Sequence, residues 1–304
     1  MTALQPEDVE LELAVGAEAV ARTQWQLFRR RFLRHRLALG SLVLLILLCL
    51  ACFGAEFVAP YSPTRIDIAL VGTAHGPSWK HPFGTDVFGR DQFSVLLRAG
   101  QISLRIGLLV ALVSTAVGVL VGAAAGYFGS AVDRLLSATT DLFLVVPQLA
   151  LLAVALSHFG SNPTTIILVL ALLGWTYIAR VVRGQVLSIK EKEFVEAARA
   201  SGASSWRIII RHILPNLVGA IMVNLTLSVA VAIVAESTLS YLGYGINPPN
   251  NSWGLMLSTN EGAINDPGQM HLLLFPGLML LITVMCVNFL GDGLRDAFDP
   301  QAKH

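Results

Sequence analysis

Charged residues are scarce in this 304-residue chain, at 13% of the total, whereas hydrophobic residues make up 54%. Soluble globular domains carry about 25% charged residues. The shortage excludes a large soluble domain and indicates a polytopic membrane protein. The formal net charge of +1 gives no argument for nucleic acid as a partner.

Lysine is also rare, and none of the four lysines follows a glycine. The chain therefore lacks the G-x-x-x-x-G-K-[ST] loop that cradles nucleotide phosphates in P-loop ATPases. Sequence order offers no Ser–His–Asp or paired-carboxylate arrangement, and the histidines are scattered without ligand spacing. We expect a non-catalytic chain that holds no metal and no cofactor.

Only three cysteines occur, and all of them fall inside apolar runs. Cys49 and Cys52 form a lone C-x-x-C, without a second pair or a nearby histidine. Metal binding and redox chemistry usually need such companions. We therefore interpret these cysteines, together with Cys286, as small apolar residues that pack between helices.

Long apolar runs dominate the rest of the chain and predict an all-α protein with six transmembrane helices. The predicted spans are 37–59, 103–127, 135–157, 164–187, 217–240 and 271–290. Gly118, Gly122 and Gly126 recur every fourth residue, which predicts a face for close helix packing. Pro147 and Pro276 are expected to kink their spans.

Lysine and arginine are distributed unevenly about these spans. With the amino terminus inside, sixteen of the 21 fall in cytoplasmic segments, four lie in 60–98 and none lies in 241–270. This positive-inside bias predicts a multi-pass protein of the plasma membrane with both termini cytoplasmic, in contact with membrane lipid. The basic stretch 22–36 is interpreted as an anchor at the cytoplasmic face, in preference to a nucleic-acid site.

The same patterns divide the chain into five parts. They are an acidic cytoplasmic tail (1–21), a basic segment with the first span (22–59), an extracytoplasmic segment (60–98), a core of five spans (99–294) and a carboxy-terminal tail (295–304). In 60–98 the glycines, prolines and aspartates predict turns that lead into an amphipathic helix from Asp91 to Ala99, rather than a calcium loop.

A polar island, residues 193–216, separates two spans and lies within the predicted cytoplasmic loop 188–215. We expect one short helix over 193–200, a break at Gly202, and a second short helix over 206–213 that Ser204 or Ser205 caps. Pro215 then stands at the start of the next apolar run. The small residues around Gly202 allow another body to approach closely. The alternative is an amphipathic connector on the membrane surface.

Ionisable residues at or near membrane depth are Asp141, Glu236 and Arg105. Such residues are costly in lipid and usually face a bundle interior or a water-filled path. Asp141, Asn224, Glu236 and Asn288 are the candidates for a translocation pathway. The alternative for Asp141 and Glu236 is capping or hydrogen bonding between helices.

Five motifs, taken together and in this order, resemble those of a known family. Glu196-Ala197-Ala198-x-x-x-Gly202 followed by Ile213-Leu214-Pro215-Asn216 is similar to the EAA loop of ABC import permeases. The other four are Phe83-Gly84-Thr85-Asp86-x-x-Gly89-Arg90-Asp91, Glu236-Ser237-x-Leu239-Ser240-x-Leu242-Gly243-x-Gly245, Ser252-Trp253-Gly254 and Gly291-Asp292-Gly293-Leu294-Arg295-Asp296-x-x-Asp299-Pro300. The chain resembles the second (C-type) permease subunit of bacterial dipeptide, oligopeptide or nickel ABC importers.

The resemblance implies the type I ABC importer permease fold and a passage that works by alternating access. It implies that Glu196, Ala197, Ala198, Gly202, Ile213 and Pro215 couple this chain to an ATPase. The implied partners are a second permease, two cytoplasmic ATP-binding subunits that hold ATP and Mg, and an extracytoplasmic substrate-binding protein. Segment 60–98 is expected to contact the binding protein or the second permease.

Several alternatives stay open from the sequence. The cargo of such a subunit is a dipeptide, a longer peptide, a glutathione-like molecule or a nickel chelate. The rival classes are a stand-alone secondary transporter or channel, which needs ion sites in mid-span, and a structural membrane anchor, which needs no kinked spans.

Overall fold

We describe a computed structural model of the chain over residues 24–298. Residues 1–23, which include the acidic tail 1–21 and the start of the basic segment, and residues 299–304 lie outside the described residues. The described chain contains eleven α-helices, with α9 taken as continuous through a π-helical turn. They are α1 (Gln24–Phe32), α2 (Arg36–Phe53), α3 (Ala55–Val58), α4 (Gln92–Phe128), α5 (Ser130–Val145), α6 (Gln148–Phe159), α7 (Pro163–Ile189), α8 (Glu193–Ala200), α9 (Ser205–Tyr241), α10 (Trp253–Thr259) and α11 (His271–Phe298).

Five helices, α2, α4, α7, α9 and α11, are each long and apolar enough to cross a membrane. The pair α5–α6 passes the same test together, which brings the total to six when the bent pair counts as one span. The all-α prediction is confirmed. Within 24–298 the only β-pairings are isolated bridges in the segment before α4, such as His75 with Thr85.

Helix α4 differs from its prediction because it combines two expected elements. The amphipathic helix expected over Asp91–Ala99 and the span expected over 103–127 form one helix of 37 residues. Asp91 caps it, since its carboxylate accepts a hydrogen bond from the Ser94 N–H at 2.8 Å. No proline or glycine pair interrupts 99–103, so the helical hydrogen bonds continue through it.

The predicted third span is also different, because it is broken rather than kinked. Helices α5 and α6 meet at 85° around Val146 and Pro147. Val146 is extended, with φ −74° and ψ 132°, as sterics require of a residue that precedes proline. Pro276, in contrast, lies inside α11 without ending it.

The expected close-packing face of α4 is confirmed. A Cβ added to Gly118 would stand 2.8 Å from the Trp175 oxygen, and one added to Gly126 would stand 2.9 Å from the Arg183 oxygen. A Cβ added to Gly122 would collide with the Ala179 oxygen. All three oxygens belong to the backbone of α7. Helix α4 packs against α9 as well, α9 against α11, and α11 against α2.

The bundle has two ends that we name by their features. The loop end carries the start of α4, the segment 60–91 and the turn after α9. The elbow end carries the start of α2 and the polar island 193–216, which we call the elbow. Helix α11 reaches the elbow end and stays helical to Phe298, beyond residue 295 where a tail was expected. The Phe298 ring packs against the Phe28 ring, with centroids 4.3 Å apart and ring planes inclined by 32°.

Candidate functional site

The elbow begins with α8, whose end has the hydrogen bonds of a Schellman motif. The Gly202 N–H donates to the Arg199 oxygen at 3.0 Å, and the Ala203 N–H donates to the Ala198 oxygen at 3.1 Å. Gly202 adopts φ +79°, the left-handed conformation that glycine adopts most readily. The predicted break is therefore confirmed. Ser204 takes the N-cap position of α9, although its side chain makes no capping hydrogen bond.

Apolar side chains hold the elbow against the bundle. Val195 of α8 is fully buried, as are three isoleucines of α9: Ile208, Ile209 and Ile213. They pack in one cluster with Val182 and Val186 of α7. This fixes the elbow to the same helix that packs on the glycine face of α4.

The opposite face of the elbow is exposed and carries large apolar side chains. Phe194, Trp206 and Ile210 are 41%, 54% and 62% exposed. Glu196 and Ala197 are exposed among them, while Ala198 is half-buried. A face with apolar side chains, a carboxylate and little bulk near Gly202 is suited to bind another protein.

The second half of the elbow is continuous with the next span, which differs from the separate short helix that was expected. A π-helical turn over Ile209–Ile213 joins them, directly before Pro215. Proline cannot donate to the preceding turn of a helix, and a π turn changes the donor–acceptor register there. Helix α9 is therefore continuous from Ser205 in the elbow to Tyr241 at the far end of the span.

Asp141, a predicted pathway residue, lies on α5 and pairs with Arg180 of α7 at 2.6 Å, and both side chains are largely exposed. The same two helices are joined by a second pair, in which the Arg183 guanidinium donates a hydrogen bond to each oxygen of the Asp133 carboxylate, one of them at 2.8 Å. These two pairs join α5 to α7 near the elbow end. Sequence order did not reveal the Asp133 pair, because its members are 50 residues apart.

Glu236 lies near the loop end of α9 and is fully buried. Its carboxylate accepts hydrogen bonds from the hydroxyls of Ser240 at 2.7 Å, Ser103 at 3.3 Å and Ser237 at 3.4 Å. Ser103 belongs to α4, so the carboxylate connects two helices. The arrangement matches the inter-helix hydrogen bonding that was the alternative to a pathway role.

The Ser-Trp-Gly motif completes this buried cluster. The Trp253 N–H donates to Ser103 at 3.2 Å, and its indole N–H donates to the Leu96 oxygen at 3.0 Å. A Cβ on Gly254 would stand 2.5 Å from the backbone of Ser237. The two family motifs that contain Glu236 and Trp253 therefore meet in one place, against α4.

Asn224 and Asn288 are both half-buried, and the Asn224 side chain donates to the Ala220 oxygen of its own helix at 2.7 Å. Asn224 is twelve residues before Glu236 on α9, which places them about 18 Å apart along the axis. The four predicted pathway residues thus lie at different depths and do not form one cluster.

The loop-end motif before α4 is held by its two aspartates. Asp86 accepts hydrogen bonds from the Phe88 and Arg90 N–H groups, both at 2.9 Å, and pairs with the Arg90 guanidinium at 2.7 Å. Asp91, besides capping α4, contacts the His81 ring at 2.9 Å. These carboxylates order the segment instead of lining an ion site.

A cleft of about 1150 Å³ opens at the loop end between this segment and α4. Four arginines line it: Arg65, Arg90, Arg98 and Arg105. Sequence reasoning singled out Arg105 only for its depth and did not predict the cleft, since residues from four separate segments form it. The spacing of Arg98 and Arg105, seven residues on one helix, was the available signal.

Comparison with known proteins extends these observations. Residues 118–304 match the family described as "binding-protein-dependent transport system inner membrane component", and residues 23–75 match the "N-terminal TM domain of oligopeptide transport permease C". A putative peptide permease protein of Brucella suis is 41% identical over 276 residues, which cover 90% of each chain.

Two further relatives carry a more specific description. The oligopeptide transport system permease protein OppC of Mycobacterium tuberculosis is 40% identical over 90% of this chain and 94% of its own. The protein of the same name from Haemophilus influenzae is 38% identical over 92% and 89%. A chain of the MetNI methionine ABC transporter superposes on 67% of this chain and 96% of its own, with a TM-score of 0.56 and 19% identity, which supports the fold.

Proposed function

The chain belongs to the family of binding-protein-dependent transport system inner membrane components, and from this premise we propose that it is a permease subunit of an ABC importer for peptides. The family consists of membrane transport permeases, which supports a non-catalytic role for this subunit. The peptide cargo is proposed from relatives that are named as peptide and oligopeptide permeases over nine-tenths of the chain.

The observation that carries the proposal is the elbow. Its inner face is fixed to α7 through Val195 and the α9 isoleucines, and its outer face exposes Phe194, Trp206 and Ile210. We propose that the outer face docks on a cytoplasmic ATP-binding subunit that holds ATP and Mg. The sequence contains no P-loop, which supports the proposal that ATP hydrolysis takes place on a partner.

The proposed mechanism is alternating access. When the ATPase subunits close, the elbow moves with the docked surface, and the continuous helix α9 carries the motion into the bundle. Helices α5 and α6 meet at an angle of 85°, and the ion pair between Asp133 and Arg183 connects α5 to α7. A second permease subunit would complete the passage, and a substrate-binding protein would deliver peptide at the loop end.

In this proposal the elbow end is cytoplasmic, as are both termini, in agreement with the distribution of lysine and arginine. The segment 60–91 then faces outward, where exposed Trp79 and Ile68 are available to the binding protein or the second permease.

Co-purification tests the proposal. We expect the tagged chain, expressed with the products of its neighbouring genes, to bring down a second permease and two ATP-binding subunits. Peptide-stimulated ATP hydrolysis by that complex, with binding protein added, is the functional readout. A homo-oligomer that transports on an ion gradient would contradict the proposal and favour a secondary transporter.

A further inference from the structure

The arginine-lined cleft at the loop end has a strong positive charge. Glu56 is the only carboxylate among its lining residues, all of which the structure describes, and it faces four guanidinium groups. Among residues 24–298, only one of the four has a carboxylate partner, since Arg90 pairs with Asp86. Arg65 lies over the Tyr61 ring, 5.0 Å from its centroid.

Arg98 and Arg105 are the two arginines of the cleft that lie on α4, and neither has a carboxylate partner among the described residues. Arg98 donates to the side-chain oxygen of Gln101, a neutral acceptor, at 2.6 Å. Arg105 is exposed, and its side chain makes no hydrogen bond or ion pair with another described residue. The two lie on one face of α4, two turns or about 10 Å apart along the helix.

The depth of Arg105 indicates what this face meets. It lies within the apolar run that begins at Ser103, and Leu108 and Leu112 continue the same exposed face inward. A guanidinium that faced lipid tails at this depth would be costly, so the face around Arg105 borders water or a partner. Arg98 and Arg105 thus place two positive charges one after the other along α4, from the loop end towards the centre of the bundle.

We propose that Arg98 and Arg105 bind the C-terminal carboxylate of a peptide as it leaves the binding protein and enters the passage. The inference rests on the proposed function and names the chemical group that this site recognises. A planar guanidinium binds a carboxylate through two parallel hydrogen bonds. The cleft that Arg105 lines has a volume of about 1150 Å³, which is large enough to admit a small extended ligand.

The test compares a labelled tri-alanine with its C-terminal amide. The complete importer, in proteoliposomes, is supplied with binding protein saturated by one peptide or the other. We measure the ratio of the uptake rate of the free acid to that of the amide. Every variant is supplied with the same binding protein, so its own preference cancels when ratios are compared between variants.

We expect Arg105→Gln to lower this ratio about tenfold, as the loss of one charge-assisted hydrogen bond predicts, and the double variant Arg98→Gln/Arg105→Gln to lower it further. Arg105→Lys, which keeps the positive charge and loses the two parallel hydrogen bonds of the guanidinium, should give an intermediate ratio. Lys80→Gln removes a cation at the same end that does not line the cleft, and it should keep the wild-type ratio.

An unchanged ratio in the double variant would overturn the inference. So would an equal loss of both uptake rates together with loss of ATPase stimulation by the binding protein, because that result assigns the cleft to binding-protein docking. A wild-type importer that assembles but moves neither peptide would overturn the proposed function and this inference with it.

Discussion

Gly202 is the residue whose backbone the elbow depends on most. Its φ of +79° is strained for any residue with a Cβ, although nothing lies within 4 Å of where that Cβ would stand. A left-handed conformation costs an ordinary residue about 1–2 kcal/mol, and β-branching adds to it. We expect Gly202→Val to abolish peptide uptake while membrane insertion stays normal.

Two matched variants separate conformation from bulk. Gly202→Asn should retain most uptake, because asparagine tolerates the left-handed region. Gly184→Ala, at another open position of the neighbouring helix α7 with ordinary backbone angles, should be neutral. Normal uptake by Gly202→Val, measured in the same cells, would contradict a mechanical role for this break.

Ser240 is the residue on which the buried cluster depends. Its hydroxyl donates to Glu236 and also accepts from the Ile246 N–H at 3.0 Å. We expect Ser240→Ala to lower the free energy of unfolding by about 1–3 kcal/mol, because it leaves a buried N–H without an acceptor. A lower melting temperature of the purified complex measures this. Thr238→Ala, which removes a bond to its own helix only, is the control.

The sequence predicted the conformation of a single residue where its neighbours along the chain determine that conformation. The left-handed Gly202 followed from a helix end among small residues. The environment of Glu236 did not follow, because its partner Ser103 is 133 residues away in the sequence and only the fold brings them together. The Asp133–Arg183 pair escaped for the same reason.

Among the elements, the contact between α4 and α7 is the most sensitive to volume. Gly122 faces the Ala179 carbonyl oxygen, a backbone atom that cannot move aside as a side chain could. We expect Gly122→Val to destabilise the bundle by about 1–3 kcal/mol through overpacking. The melting temperature of the purified chain in detergent measures it. A value equal to that of Gly184→Ala would show that the two helices do not depend on this contact.

The sequence predicted the existence of the helices better than their ends. Apolar runs indicated six spans, but they could not show that the short helix expected from Asp91 and the span expected from Ser103 form one helix, because no break in the helical hydrogen bonds separates them. The 85° bend at Pro147 and the uninterrupted helix at Pro276 have the same local signal, a proline in an apolar run. Neighbouring helices decide between the two outcomes.

For the whole molecule, the charge distribution predicts an orientation that labelling can test. The native cysteines at 49, 52 and 286 are first replaced by alanine. We expect a cysteine at position 79, in the exposed loop-end segment, to react in intact cells with a membrane-impermeant maleimide. A cysteine at position 206, on the elbow, should react only after the membrane is opened. The reverse pattern would place the elbow outside and exclude docking on a cytoplasmic ATPase.

The complete fold brings together what the individual motifs only suggest. Glycines 118, 122 and 126 fix α4 to α7, α7 holds the elbow, and the elbow continues into α9, whose far end carries the Glu236 cluster. The sequence motifs identified the glycine face, the elbow and the Glu236 segment, but not the helix contacts that connect them. The cleft with Arg98 and Arg105 was beyond prediction because four segments contribute to it.

The central claim is that the elbow transmits the work of a partner ATPase to this chain, and ATP-driven peptide uptake by the reconstituted importer tests it most directly. Glu196 is exposed on the outer face of the elbow, and Glu191→Lys makes the same charge change just outside α8. We predict that the Glu196→Lys complex loses uptake although all its subunits are present, whereas the Glu191→Lys complex transports like the wild type. Uptake at the wild-type rate by Glu196→Lys and Gly202→Val would contradict the account.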